Sequence, residues 1–125
     1  MVKYTNSKLS EMLESAKKYI DRKDIIGYAA ARNVRRLKDD VLVEFNEKKN
    51  ALLSEYGEPY LDVDGNPTGR VYIDPDSPNY SKFMEEYSKF SEIEHDFDIF
   101  KIKFDNAINN LTGSELLEID WMFED

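Results

Sequence analysis

An α+β fold, mainly helical, with a long central helix, shorter helices and a small β-hairpin or three-strand antiparallel sheet, is what this sequence predicts. Three observations carry that expectation. Apolar residues recur every three or four positions through the first 56 residues. A stretch dense in Gly, Pro, Asp and Asn then separates short β-prone runs. Near Phe97 the apolar period changes from helical to alternating.

The elements follow in chain order. Leu9, Met12, Leu13, Ala16, Tyr19 and Ile20 share one helical stripe, which predicts a first helix from Asn6 to about Arg22 with Asn6 or Ser7 as its N-cap. Asp24-Ile25-Ile26-Gly27 interrupts the rhythm, with Gly27 either a turn or the opening of the next helix. Ala30, Val34, Leu37, Val41, Phe45, Leu52 and Tyr56 then predict a continuous helix. It spans about 29 residues at ~1.5 Å each, a rod of roughly 43 Å. Gly57 stands where a left-handed C-terminal cap belongs, and Pro59 follows. Tyr60-Leu61 and Val71-Tyr72-Ile73 flank the turn Asp64-Gly65-Asn66-Pro67 and predict a hairpin. Ser77-Pro78 offers a helix start. Tyr80, Phe83, Met84, Tyr87 and Phe90 draw the stripe of the helix it opens. The run from His95 to Asp105 reads as a bulged strand that pairs with the hairpin. Thr112 and Glu115 form a capping box before a short last helix.

A chain of 125 residues has room for one domain, 1–125, able to bury about two-thirds of its unfolded surface. Its 13% aromatic content argues against disorder despite 34% charged residues. The absence of Cys excludes disulfides, thiolate nucleophiles, zinc fingers and iron-sulfur clusters, and fits a reducing compartment. The first residues lack an apolar signal core, and no run approaches the ~18 apolar residues of a membrane span. A cytoplasmic protein without a membrane segment is expected. Charge is uneven: residues 1–50 hold 12 basic against 8 acidic residues, and residues 51–125 hold 5 against 18, so the molecule reads as electrically two-sided.

No catalytic constellation emerges. The single His95 sits between Glu94 and Asp96 with no nucleophile setting, and reads as a solvated surface residue. Asp62-Val63-Asp64-Gly65-Asn66 suggests a calcium loop, but Pro67 stands where that loop needs Gly and Ile73 where it needs a bidentate Glu. A hairpin turn accounts for the same residues. Pairs such as Glu85-Glu86 or Asp96 with Asp98 arise by composition alone in a chain with 26 acids, and GNPTGR matches no phosphate loop. No catalytic residue, metal or cofactor is expected, and the chain reads as a binding protein, not an enzyme.

Two charged features remain. Arg32, Arg35 and Arg36, with Lys38 beside them, form a basic patch on one helix face. Either it is a solvated face paired with Asp39, Asp40 and neighbouring acids, or it meets an acidic patch on a partner or a second copy. Direct nucleic-acid binding is not expected, since a net charge of −9 repels nucleic acid at long range. The second feature is a spaced set of acids, Asp62, Asp64, Asp74, Asp76, Glu85, Glu86, Glu92, Glu94, Asp96 and Asp98, with aromatics between them. Such acids serve solubility, or they form a surface that docks into a cationic groove built for nucleic-acid backbone.

The order of Gly27-Tyr28-Ala29-Ala30-Ala31-Arg32, Leu52-Leu53-Ser54-Glu55-Tyr56-Gly57 and the Asp62-Val63-Asp64-Gly65-Asn66 hairpin, followed by the aromatic helix and Leu111-Thr112-Gly113-Ser114-Glu115, resembles a family of small uncharacterised proteins from phages and prophages of Gram-positive bacteria. The resemblance covers about residues 25 to 123 and implies a phage setting without specific chemistry. In that setting the expected function is inhibition of a host nucleic-acid enzyme, most specifically an anti-CRISPR action. The acidic surface would occupy the nucleic-acid-binding surface of a Cas9-type nuclease in the host cytoplasm. The alternative is a phage structural or morphogenesis protein that self-associates, as a homodimer for instance, through an uncovered stripe of Val34, Leu37, Val41 and Phe45.

Overall fold

The computed structural model describes residues 3–124 and is mainly helical, with small two-stranded sheets beside the helices. The chain divides into two compact units, one made of Met1–Val43 with Glu94–Asp125 and the other of Glu44–Ile93.

In the first unit, strand β1 (Lys3–Thr5) runs directly into helix α1 (Asn6–Lys17). The N-cap is Thr5, not Asn6 or Ser7: its backbone is extended and its hydroxyl accepts the Lys8 N–H at 3.0 Å. Asn6 is thereby drawn into the first turn and buried. Helix α1 stops at Lys17, short of the expected Arg22. Single turns from Ala16 and Tyr19 carry the chain to Asp24, which caps helix α2 (Ile25–Arg36) by accepting the Gly27 N–H at 3.2 Å. The same carboxylate takes the Arg22 guanidinium through Nε and through Nη2 at 2.6 Å. A Cβ on Gly27 would lie 1.9 Å from the Arg22 carbonyl oxygen, so only glycine lets the chain fold back so tightly there.

The expected single long helix is two helices. A π-helical turn, Leu37–Val41, follows α2, with the Leu42 N–H bonding to the Leu37 carbonyl at 2.9 Å, before helix α3 (Val43–Tyr56) begins. Leu37 and Leu42 are both fully buried. An unbroken α-helix would turn residues five apart by about 140° from each other, whereas the wider turn lets both side chains point inward.

Residues returning from the far end of the chain complete this unit. Strand β4 (Glu94–Asp96) pairs antiparallel with β1, placing Asp96 opposite Lys3 and Glu94 opposite Thr5. Strand β5 (Ile102–Lys103) pairs parallel with β6 (Phe123–Glu124), and helix α5 (Gly113–Glu118) between them carries the expected Thr112/Glu115 capping box. The run from His95 to Asp105 is therefore not one strand beside the hairpin. It is two short strands with different partners, joined by an extended stretch that a side chain holds in place. The core packs Ala16 of α1, Tyr19 of the turn after it, and Ile26, Ala29 and Ala30 of α2 against Ile102, Ala107, Ile119, Met122 and Phe123. The three alanines permit close approach of the two helices. At the edge of this core the Tyr19 hydroxyl donates to Glu118 Oε1 at 2.6 Å, and Lys18 pairs with the same carboxylate. The Lys18 ammonium and the Tyr19 hydroxyl hold the Glu118 carboxyl below its ordinary range, while burial pushes the Tyr19 phenol up.

In the second unit, α3 leads into a hairpin of β2 (Glu58–Leu61) and β3 (Pro67–Tyr72), bulged between Pro59 and Leu61, and helix α4 (Tyr80–Ser91) follows. Gly57 is not the expected left-handed cap, since the positive-φ positions are Gly65 and Gly69 of the hairpin. A Cβ at Gly57 would meet the Leu53 and Tyr72 carbonyls at 2.5 and 2.6 Å, so glycine is required by close backbone approach. Helix α4 begins after Asn79, later than Ser77-Pro78, because the Tyr80 N–H is still bonded in a turn to the Ser77 carbonyl. Phe83 stacks on Tyr87 with centroids 5.6 Å apart, and Tyr87 packs on Phe45 of α3 at 5.7 Å. Among the described residues no helix is long and apolar enough to cross a membrane.

The Arg22 guanidinium and the Gly27 N–H hold the Asp24 carboxyl below its ordinary pKa. Between the folded and unfolded values the unfolded chain binds a proton that the folded chain refuses, so this stabilisation is complete above about pH 4 and is lost as pH falls through the folded value. Replacing Asp24 with Ala is expected to cost about 1 kcal/mol at neutral pH. It should also flatten the acid limb of stability against pH, as read by urea denaturation between about pH 2 and 7.

Candidate functional site

Helix α2 has two faces with different tasks. Ile26, Ala29, Ala30 and Asn33 point inward and are buried, as is Leu37 directly after the helix. Tyr28, Ala31, Arg32, Arg35 and Arg36 follow the three-and-four spacing on the outer side and line a cavity of about 300 Å³.

Asn33 joins the two faces. It is fully buried in an otherwise apolar row, and its side-chain amide bonds both ways to one residue of the extended stretch. Nδ2 donates to the Phe100 carbonyl at 2.9 Å, and Oδ1 accepts the Phe100 N–H at 2.8 Å. An amide side chain thus supplies the two bonds that a neighbouring strand would otherwise make. The clamp fixes Phe100 against the outer face of α2. There the Phe100 ring meets Tyr28 edge to face at 5.7 Å, and the Arg32 guanidinium lies 4.9 Å from the Phe100 centroid and 5.8 Å from that of Tyr28. Arg32 Nη1 also donates to the Tyr28 hydroxyl at 3.2 Å.

The three arginines of the basic patch share this face but not one environment. Arg36 donates to the Asp98 carbonyl at 2.8 Å and lies 4.0 Å from the Asp98 carboxylate. Arg32 is held by aromatic faces and a neutral hydroxyl. The Arg35 side chain makes no ion pair or hydrogen bond among the described residues. The pairing expected with Asp39 and Asp40 does not occur among the described residues; the acid that serves the patch is Asp98, more than sixty positions on.

The ten spaced acids are divided between the units: Asp62, Asp64, Asp74, Asp76, Glu85, Glu86 and Glu92 belong to the second, and Glu94, Asp96 and Asp98 to the first. Asp62 and Asp74 turn their carboxylates onto their own loops. Asp62 Oδ1 accepts the Asp64 and Asn66 N–H groups, each at 2.9 Å, which ties the would-be calcium loop into a hairpin turn. Asp74 Oδ1 accepts the Asp76 N–H at 2.9 Å. Glu86 pairs with Lys89 and Asp98 with Arg36. Asp64, Asp76, Glu85, Glu92, Glu94 and Asp96 are exposed, with no ion pair among the described residues. His95 is half-buried on β4 opposite Tyr4. No group of three or more acidic or histidine side chains converges as a metal-ligand set among the described residues.

The charge asymmetry read along the sequence is folded together. The second unit holds 11 acidic against 5 basic residues, net −6, and the first holds 15 against 12, net −3, because acidic residues 94–125 join basic residues 1–43. Of the stripe expected to mediate self-association, Leu37 and Phe45 are buried and Val34 and Val41 are half-buried.

Sequence reasoning singled out the arginines but missed Tyr28, Asn33 and Phe100, which organise them. Asn33 had a visible signal, a lone amide in the apolar row of α2. Replacing Asn33 with Ala removes both hydrogen bonds to the half-buried Phe100 backbone, at ~0.5–1.5 kcal/mol each. Thermal denaturation should show a fall of roughly 1–3 kcal/mol, and the Tyr28 ring resonances in NMR spectra should report loss of the Phe100 contact. Asn33→Asp keeps the acceptor but loses the donor and buries a charge, so its loss of stability should be greater at pH 7 than near pH 4.

No family model, no curated protein and no solved structure matches the chain.

Proposed function

We propose that the chain is a binding protein, not an enzyme, which docks the acidic hairpin of its second unit onto a basic surface of a protein partner. In its most specific form the partner is a host nucleic-acid enzyme, a Cas9-type nuclease whose nucleic-acid-binding surface the hairpin occupies in the bacterial cytoplasm, as an anti-CRISPR inhibitor does. The phage resemblance and the charge support this choice of partner; the hairpin itself carries the proposal that the chain docks.

Every residue of β2 and β3 is exposed. Residues 58–76 include five acids, Glu58, Asp62, Asp64, Asp74 and Asp76, against the single cation Arg70. Tyr60 and Tyr72 meet edge to face at 5.7 Å and stand about half exposed on the same ribbon, beside a shallow cavity they line with Pro59 and Leu61. A two-stranded ribbon of this kind has rigidity from its ladder and turn, aromatic area for contact and carboxylates spaced along its length. These are the features with which a protein competes for a groove that binds phosphates. The ordered Asp62 turn matters because the acids are presented without the entropy loss of a flexible loop.

The test is capture of a purified Cas9-type nuclease with its guide by the immobilised chain, followed by competition with target DNA. Reversal of Glu58, Asp64 and Asp76 to Lys spares the carboxylate that builds the turn. It should weaken capture about tenfold or more at ~50 mM salt and less at ~300 mM, where screening shortens the reach of the charges. Capture that ignores both salt and charge reversal would remove the electrostatic basis of the proposal. Failure to capture the nuclease would remove that partner.

A further inference from the structure

We propose that the cavity on the outer face of α2 is a nucleotide-binding site, with the phosphate held by Arg35 and Arg32 and the base laid against Tyr28. This goes beyond the docking of the hairpin and does not depend on it.

The cations carry the case. The chain has 26 acidic residues against 17 Lys and Arg, so a surface arginine has acids to spare as partners. Yet among the described residues Arg35 has no ion pair, and the Arg32 guanidinium donates to a neutral hydroxyl. Both line the same cavity one helical turn apart. Arg32 is also immobilised: Phe100, itself pinned by Asn33, lies under its guanidinium, and the Tyr28 hydroxyl fixes one nitrogen. A guanidinium set in advance loses little rotamer freedom on binding and keeps its remaining N–H groups for two oxygens of one anion, as phosphate recognition requires. Ala31 leaves the space between them open.

The remainder of the ligand follows from the cavity. Its volume, about 300 Å³, lies at the lower end for small-molecule sites, on the scale of a mononucleotide rather than a larger ligand. Tyr28 is 55% exposed even with Phe100 packed on it at 5.7 Å and the Arg32 guanidinium 5.8 Å from its centroid, so part of its ring remains accessible. Stacking a base there uses the aromatic area and places the phosphate on the arginine side.

Titration calorimetry of the full chain with AMP, adenosine and inorganic phosphate tests this. AMP should bind saturably and more tightly than either fragment. Arg35→Ala, a change at an exposed side chain, should weaken AMP about tenfold or more, and Arg35→Lys should restore part of the loss. Tyr28→Ala should weaken AMP more than it weakens inorganic phosphate, which loses only the hydroxyl that fixes Arg32. Absence of AMP binding at millimolar concentration, or binding indifferent to Arg35, would overturn the site. Inorganic phosphate binding as tightly as AMP would overturn its assignment to a nucleotide.

Discussion

The amide of Asn33 sits where the packing of α2 alone would ask for leucine, and much of the first unit depends on its two hydrogen bonds. The extended stretch after β4 has no strand beside it at Phe100. Its half-buried backbone groups there are paired because a side chain supplies both a donor and an acceptor at the right separation, as a carboxamide does. With the clamp in place, Phe97 and Ile102 enter the interior on either side of it, Phe100 is delivered to the outer face of α2, and the arginines acquire an aromatic floor. Core and surface site are thus joined through a single residue.

What could be read from the sequence follows the range of the interaction. Local devices were legible: the capping box at Thr112, the hairpin around Gly65 and the stripes of α1 and α4 are all set by residues within a few positions of one another. The π-turn was not, because three-and-four periodicity admits Val41 as well as Leu42 and only the packing shows which is fully buried. Gly57 looked like a conformational glycine and proved to be a steric one, since the atoms that crowd it include Tyr72, fifteen positions away. The partners of β4 and β5 were likewise invisible, as two- and three-residue strands carry no pattern of their own and take their place from β1 and β6.

The same distinction applies to the candidate surfaces. The arginines were found by spacing, but Arg36 is engaged by Asp98 and Arg32 by two rings, which leaves Arg35 as the arginine of the three with no side-chain bond among the described residues. The acids were found by composition, and folding sorts them into those that build turns, those that pair with a cation and those that remain unpaired. A count of charges treats all of these alike, although only the unpaired carboxylates can offer their full charge to a partner.

The first unit is discontinuous, with residues 44–93 set between its two parts. During synthesis, β1, α1 and α2 emerge well before the segment that supplies β4, Ile102, Met122 and Phe123. At about 5–20 residues per second, the intervening 50 residues alone impose a delay of roughly 3–10 s, during which the stripes of α1 and α2 lack their C-terminal cover. The second unit is contiguous and needs no such wait. Birth order on the ribosome therefore favours the inserted unit as the earlier to close, although half of its host is made first, and the nascent first unit is the stretch that a chaperone would meet.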